Sequence, residues 1–353
     1  MVDFYGSNIR HLACTEQGRN RAQLITRNLI KRPNWACLSF ALLILALSLG
    51  PGLAQERRTH EPIRPLMPPS GLDLRKVALG RALFHDPILS RDGKVSCASC
   101  HNLAAGGVDG QTVSIGIGAA KGTVNAPTVY NAGLNLAQFW DGRAATLEEQ
   151  AGGPITNPIE MGSSWPLVLA RLIASPYRAE FQKIFGGDPT IETIREAIAA
   201  FEKTLITVDS PFDRWLGGDD AALTDAEKAG YARFKALGCA SCHQGRNVGG
   251  NMFQRFGFFG DWFSDRGRPE TKADLGRFNV TGQPEDRHVF KVPSLRLAVL
   301  TAPYFHDGSV ASLEEAVRLM AHYQLGRDIS TDDVTLITGF LRTLPGRVAG
   351  DTK

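Results

Sequence analysis

Apolar positions fall at helical spacing along much of this chain, and no stretch alternates apolar and polar residues convincingly enough to read as a strand. The pattern predicts helices from Leu72 to Phe84, Ile191 to Ile206, Asp225 to Leu237 and Thr331 to Leu344. Thr146-Leu147-Glu148-Glu149, Thr224-Asp225-Ala226-Glu227 and Ser312-Leu313-Glu314-Glu315 each set a hydroxyl three residues ahead of a carboxylate. Such capping boxes satisfy two orphan amides at once, so each predicts a helix start. Ahead of these, Arg27, Lys31 and Arg32 precede an apolar run from Trp35 to Leu49, followed by the small residues Gly52 and Ala54. That order reads as an export signal over residues 1–54. The alternative is an uncleaved membrane anchor, for which the run is short. Either reading exports residues 55–353.

The pattern also repeats. Ala126-Pro127-Thr128, Phe139-Trp140-Asp141-Gly142 and Leu147-Glu148-Glu149-Gln150-Ala151 recur as Val292-Pro293-Ser294, Phe305-His306-Asp307-Gly308 and Leu313-Glu314-Glu315-Ala316-Val317, all at the one offset that carries Ala126 to Val292. Self-similarity at a fixed offset implies duplication of one unit. The expected division is a first domain over residues 55–215 and a second over 216–353.

Composition is that of a globular chain of 353 residues, 43% hydrophobic and 21% charged, and suggests neither disorder nor a multi-span membrane protein. The formal charge of +3 is uneven, because Lys and Arg outnumber Asp and Glu in residues 1–54. The remainder is close to neutral, so nucleic acid is not an expected partner. Of six cysteines, Cys14 and Cys37 lie in the leader, which leaves Cys97, Cys100, Cys239 and Cys242.

Those four form Cys97-Ala98-Ser99-Cys100-His101 and Cys239-Ala240-Ser241-Cys242-His243. The C-x-x-C-H spacing is that of haem c attachment: two thiols bond the porphyrin vinyl groups, and the adjacent histidine reaches the iron. A redox C-x-x-C or a four-cysteine zinc site competes, but neither explains a histidine after each pair. The step from Cys97 to Cys239 is shorter than the step from Ala126 to Val292, so the second copy carries an insert between its motif and its Pro-Ser segment, placed at residues 247–270. A helix before each motif and another after the distal ligand is the plan of a small class I cytochrome c. The fold class expected is therefore mainly α: two tandem class I cytochrome c-like domains related by duplication, each holding one covalent haem c.

The halves differ at the distal position. Met320 stands where a small cytochrome c places its thioether ligand, unless it merely fills core. Its counterpart at the repeat offset is Pro154, so the first haem lacks an equivalent thioether. Nearby lies Asn157-Pro158-Ile159-Glu160-Met161-Gly162, and Glu160 at an open haem face suits general acid–base work on a peroxide, whereas alone it would read as a solvated acid. Trp140 replaces His306 at the repeat-equivalent position, as an electron path or as packing.

From about Leu72 to Pro345 the chain resembles the bacterial di-haem cytochrome c peroxidases and their MauG-type relatives. The resemblance rests on Phe139-Trp140-Asp141-Gly142-Arg143, on Asn157 to Gly162, and on Thr301-Ala302-Pro303-Tyr304-Phe305-His306-Asp307-Gly308. It implies that the first haem binds hydrogen peroxide and that the His243/Met320 haem holds a high-potential reducing equivalent. By the same resemblance Trp140 lies between them, Glu160 is the acid–base and Gln150 an active-site polar residue. One calcium ion is implied as well, held by the Asn125 side chain and the Thr301 and Pro303 carbonyls, an oxygen set that suits a hard cation. A periplasmic location, a small cytochrome c or copper protein as donor, and a homodimer follow in the same way.

One departure stands out. Many of these peroxidases carry a ligating histidine in a Ser-Ile-Gly-His-Gly loop, and this chain reads Ser114-Ile115-Gly116-Ile117-Gly118. The first haem is then expected to be five-coordinate or water-bound when oxidised. Of the spare histidines, His60, His85 and His288, the one nearest the first motif is His85, read here as structural. Two rivals remain open: a MauG-like enzyme oxidising a partner protein, against which Met320 counts because that type has tyrosine there, and a di-haem electron carrier with both irons saturated.

Overall fold

Two helix pairs, one in each half of the chain, set the positions of everything else in this computed structural model, which describes Arg58 and residues 60–349. The expected leader, residues 1–54, lies outside the described residues. Among the described residues the longer helices are α1 Leu74–His85, α2 Leu147–Thr156, α3 Trp165–Ile173, α4 Tyr177–Phe185, α5 Ile191–Glu202, α6 Pro211–Leu216, α7 Asp225–Leu237, α8 Leu313–Leu319 and α9 Thr331–Leu341. Strands are few and short. β1 (Thr207–Val208) pairs antiparallel with β4 (Arg347–Val348), and β2 (Phe253–Arg255) with β3 (Val289–Lys291). Among the described residues no helix is long and apolar enough to cross a membrane.

α1 packs on α5, and α7 packs on α9. Both contacts depend on a glycine: a methyl group on Gly80 would overlap the Ala197 carbonyl, and one on Gly230 would overlap the Leu336 carbonyl. One turn further along each pair, Phe84 meets Phe201 with ring centroids 5.2 Å apart, and Phe234 meets Phe340 at 5.2 Å. All four rings are buried, and truncating such a ring typically costs about 3–5 kcal/mol. Each pair anchors a core. Leu83, Ile155, Val168, Leu172 and Phe181 gather beside α1 and α5, while Phe212, Tyr231, Leu341 and Leu344 gather beside α7 and α9.

The turns of the sequence repeat share a backbone shape. Phe139 and Phe305 both take positive φ, 67° and 69°, and bridges close Gln138 to Ala144 and Tyr304 to Val310. The two turns also exchange hydrogen bonds: Asn125 N donates to His306 O and Lys291 N to Trp140 O, each at 2.8 Å. Asn125 and Lys291 are counterparts in the repeat, as are Trp140 and His306, so the two bonds show the reciprocity of an isologous contact. Arg296, with no exposed surface, ties further segments together. It donates twice to Asp213 (2.7 and 2.9 Å), to Arg246 O (2.8 Å) and to Arg64 O (2.7 Å).

Several sequence expectations need correcting in detail. The first helix starts at Leu74 rather than Leu72, and α5 and α9 stop at Glu202 and Leu341 rather than Ile206 and Leu344. Of the three capping boxes only Thr224 and Glu227 close reciprocally. Glu149 turns instead to Ala145 N (2.6 Å), and Ser312 accepts from Glu315 N alone. Residues 247–270 hold β2 and a short helix, Trp262–Asp265, with Phe258 and Phe259 exposed.

Candidate functional site

Each C-x-x-C-H segment opens onto its own cleft. In the first half Ser96 caps the single turn Cys97–Cys100, its amide donating to the Ser99 hydroxyl at 3.0 Å. That turn sets two thiols on one side, with His101 directly after them. In the second half Gly238 ends α7 in a left-handed conformation (φ 100°) and feeds the turn Cys239–Ser241. The first cleft is lined by Cys97, Cys100, His101, Gln150 and Glu160, and the second by Cys239, Cys242, His243 and Met320. Trp140 lines both. Every residue that the sequence singled out as a haem ligand or as catalytic therefore lines a cleft, with Trp140 common to both.

The cysteines form no disulfide and lie in apolar surroundings, and burial pushes the Cys97 thiol up to about 12 and the Cys239 thiol up to about 11. Reactive C-x-x-C thiols need the opposite, an environment that favours thiolate. A shared four-cysteine zinc site is also ruled out by geometry, because the pairs line different clefts. The histidines are held neutral by burial, His243 at about 4 and His101 lowered against the pull of the Gly107 carbonyl. His101 Nδ1 lies 3.2 Å from Gly107 O, and since a carbonyl only accepts, Nδ1 carries the proton and Nε2 offers a lone pair to a metal. Two thiols, a neutral imidazole and apolar walls fit a covalently held porphyrin in each cleft.

The distal sides differ in chemistry. Met320 follows α8 at the start of a π-helical turn, Met320–Gln324, and such bulges recur at functional sites. The first cleft offers Glu160 instead, in the loop after α2. Asn157 holds it: the side-chain amide donates to Glu160 Oε1 at 2.6 Å, and Glu160 N donates back to Asn157 O at 3.1 Å. Burial raises the Glu160 pKa, and the nearby Arg143 charge and the Asn157 bond oppose the rise. A carboxyl held above its ordinary value, with burial favouring its neutral form and its neighbours the ionised one, suits general acid–base work. Gln150 stands on α2 facing the same space.

Ile117 does not line the first cleft. Its amide donates to Glu160 O at 2.8 Å, and its side chain is buried against Gly162. His85 is exposed beside Phe84, and His288 pairs with Glu270 while stacking on Phe263, so neither lines a cleft. Asn125, Thr301 and Pro303, the residues implied for calcium, all line the second cleft. Asn125 commits its amide nitrogen to Gln111 O (2.9 Å), which leaves its side-chain oxygen as an acceptor.

Sequence reasoning missed several buried ionisable groups, three of them in or beside the clefts. Glu202 ends α5 in the first cleft with Oε2 unpartnered, and burial, aided by the Glu148 charge, raises it to about 8. Lys291 lies in the second cleft. Asp274 sits between Arg266 (2.6 Å) and His306 (2.7 Å), with Asp307 at 3.3 Å from the same Arg266. Asp274, His306 and Asp307 converge closely enough to suggest a metal, but Arg266 already supplies the cation. Only helical position inside an amphipathic stretch hinted at Glu202, and nothing marked the others.

Comparison with known proteins agrees with this geometry. The family described as di-haem cytochrome c peroxidase matches residues 74–221. The cytochrome c peroxidase Ccp of Escherichia coli (strain K12) is 51% identical over 83% of this chain, which spans 63% of that relative's length. The cytochrome c551 peroxidase of Nitrosomonas europaea is 48% identical, over 86% of this chain and 90% of its own. Among solved structures, a MauG-like protein associated with microbial copper homeostasis superposes with a TM-score of 0.68 at 32% identity, over 80% of this chain and 92% of that one.

Proposed function

The chain belongs to the di-haem cytochrome c peroxidase family, and from that premise we propose that it reduces hydrogen peroxide to two waters in the periplasm, with two electrons from a small cytochrome c or copper protein and two protons. The observation that carries the reading is the difference between clefts: His243 faces a cleft that also holds Met320, whereas His101 faces one that holds Glu160, with Pro154 at the repeat counterpart of Met320. When bound, one covalent haem c in each cleft supplies the redox chemistry, peroxide binding in the first and electron storage in the second.

The residues do the rest. Glu160 takes the proton from one peroxide oxygen and returns it to the departing one, so the leaving group departs as water rather than hydroxide. Asn157 keeps that carboxyl aimed, and the Arg143 charge favours its ionised form. Gln150 adds a polar contact beside the reacting oxygens. Trp140, shared by the clefts, is the path between them, and Met320 with His243 holds the electron-entry side. The division into domains at residues 55–215 and 216–353, related by duplication, is supported by the reciprocal bonds of Asn125 and Lys291. Asn125, Thr301 and Pro303 hold one calcium ion through oxygen, and two copies associate as a homodimer.

A MauG-like oxidation of a partner protein draws support from Ile117, buried away from the first cleft, and is opposed by Met320 in the second. Turnover of peroxide with a reduced small cytochrome, set against oxidation of a protein substrate, decides between them. Glu160→Gln should abolish the former while two covalent haems remain. Unchanged turnover in that variant would refute the assignment.

A further inference from the structure

Lys291 is a cation enclosed without an anion. It ends β3, lines the second cleft and is 7% exposed. Among the described residues no carboxylate pairs with it, and burial alone acts on its ammonium, holding it down to about 8. Buried charges persist in proteins where a partner of opposite sign completes them, because desolvation is otherwise uncompensated. The cleft is apolar except for a few groups, and the cofactor that fits it carries two carboxylates.

The repeat sharpens the point. Lys291 is the repeat counterpart of Asn125, and both hand their backbone amide to the opposite turn. Asn125 offers an oxygen to a cation, whereas Lys291 brings a cation of its own. We propose that the Lys291 ammonium pairs with a carboxylate of the porphyrin in the second cleft, seating that cofactor and favouring its reduced state. This rests on the reading above that the second cleft holds a covalent haem. The electrostatic sense is fixed: a positive charge beside a redox centre favours the state with one more electron, and neutralising a porphyrin carboxylate acts in the same direction.

The test uses the full holoprotein, as wild type, Lys291→Met and Lys291→Arg, with the Met320-ligated haem titrated spectroelectrochemically at one pH. Lys291→Met should shift the reduction equilibrium about tenfold toward the oxidised form, about 59 mV for one electron. Lys291→Arg, which keeps the charge, should stay within about threefold of wild type on the same scale. A Met variant with two covalent porphyrins and the wild-type potential would overturn the proposal, as would an Arg variant displaced as far as the Met variant. If the Met variant yields no holoprotein, a crystal structure of wild-type holoprotein decides instead. Nζ at about 2.7–2.9 Å from a porphyrin carboxylate oxygen is expected, and Nζ bonded to protein atoms alone would overturn it. Fewer than two attached porphyrins in wild type would sink the underlying assignment rather than this inference alone.

Discussion

The indole of Trp140 stands edge-on to the imidazole of His306, centroids 6.5 Å apart and planes at 76°. These are counterparts in the sequence repeat, so the place where the two halves meet is built from one turn used twice. Trp140 Nε1 donates to Asn125 O at 2.9 Å, which fixes the ring between the clefts. Trp140→Phe keeps an aromatic ring but loses that bond and ring area. Turnover with reduced donor should fall on the order of tenfold, about 1.4 kcal/mol of barrier. Peroxide binding to the oxidised first haem, followed by stopped-flow absorbance, should not change. Unaltered turnover would remove Trp140 from the electron path.

If Glu160 acts first as a base, as proposed, it must be ionised before peroxide arrives. Its raised pKa places the acidic limb of kcat/KM above the usual carboxylate range. Asn157 stabilises the ionised form by donating to Oε1, so Asn157→Ala should raise the pKa further and move that limb to higher pH. Glu160→Gln should cost about 10²–10⁴-fold in kcat while cyanide still binds. A limb that stays in place in Asn157→Ala would contradict the coupling.

Glu202 is buried neutral, with a folded pKa of about 8 against an ordinary 4.5. A raised folded pKa stabilises the native state fully below the unfolded value, and the contribution is lost as pH rises through the folded one. Wild type should therefore lose a few kcal/mol of stability, on the order of 1.4 per pKa unit, between about pH 4.5 and 8. Glu202→Gln should flatten that part of the thermal-melting profile. Identical pH profiles for variant and wild type would count against the assignment.

Legibility in the sequence followed the range of the chemistry involved. The attachment motifs are local, and Cys97, Cys100, His101 and their counterparts reach their clefts because each cysteine pair sits on a single turn. Met320 was readable from its spacing, but the π-helical turn that presents it was not, since no residue in Met320–Gln324 marks a bulge. The strands escaped because two or three residues show no alternation. Gly80 and Gly230 look like interruptions in helical stretches until the carbonyls of Ala197 and Leu336 appear opposite them. Lys291 and the Arg266, Asp274 and His306 group depend on segments brought together from distant parts of the chain, which periodicity does not encode.

Arg296 and Asp213 form a pair with almost no exposure, between segments far apart in sequence. Removing one partner strands the other charge, so Arg296→Met should destabilise by about 3–5 kcal/mol, read as a fall in melting temperature at constant haem content. Arg296→Met combined with Asp213→Leu should recover much of the loss. A double variant as unstable as the single would show that the carbonyl contacts to Arg64 and Arg246 matter more than the charge pair.

Electron paramagnetic resonance of the fully oxidised holoprotein tests most directly whether one iron site is open and the other closed. With Ile117 turned against Gly162, the haem at His101 should give a high-spin signal that cyanide converts to low-spin, beside an unresponsive low-spin signal from the His243/Met320 site. Two low-spin haems, neither altered by cyanide, would contradict the account.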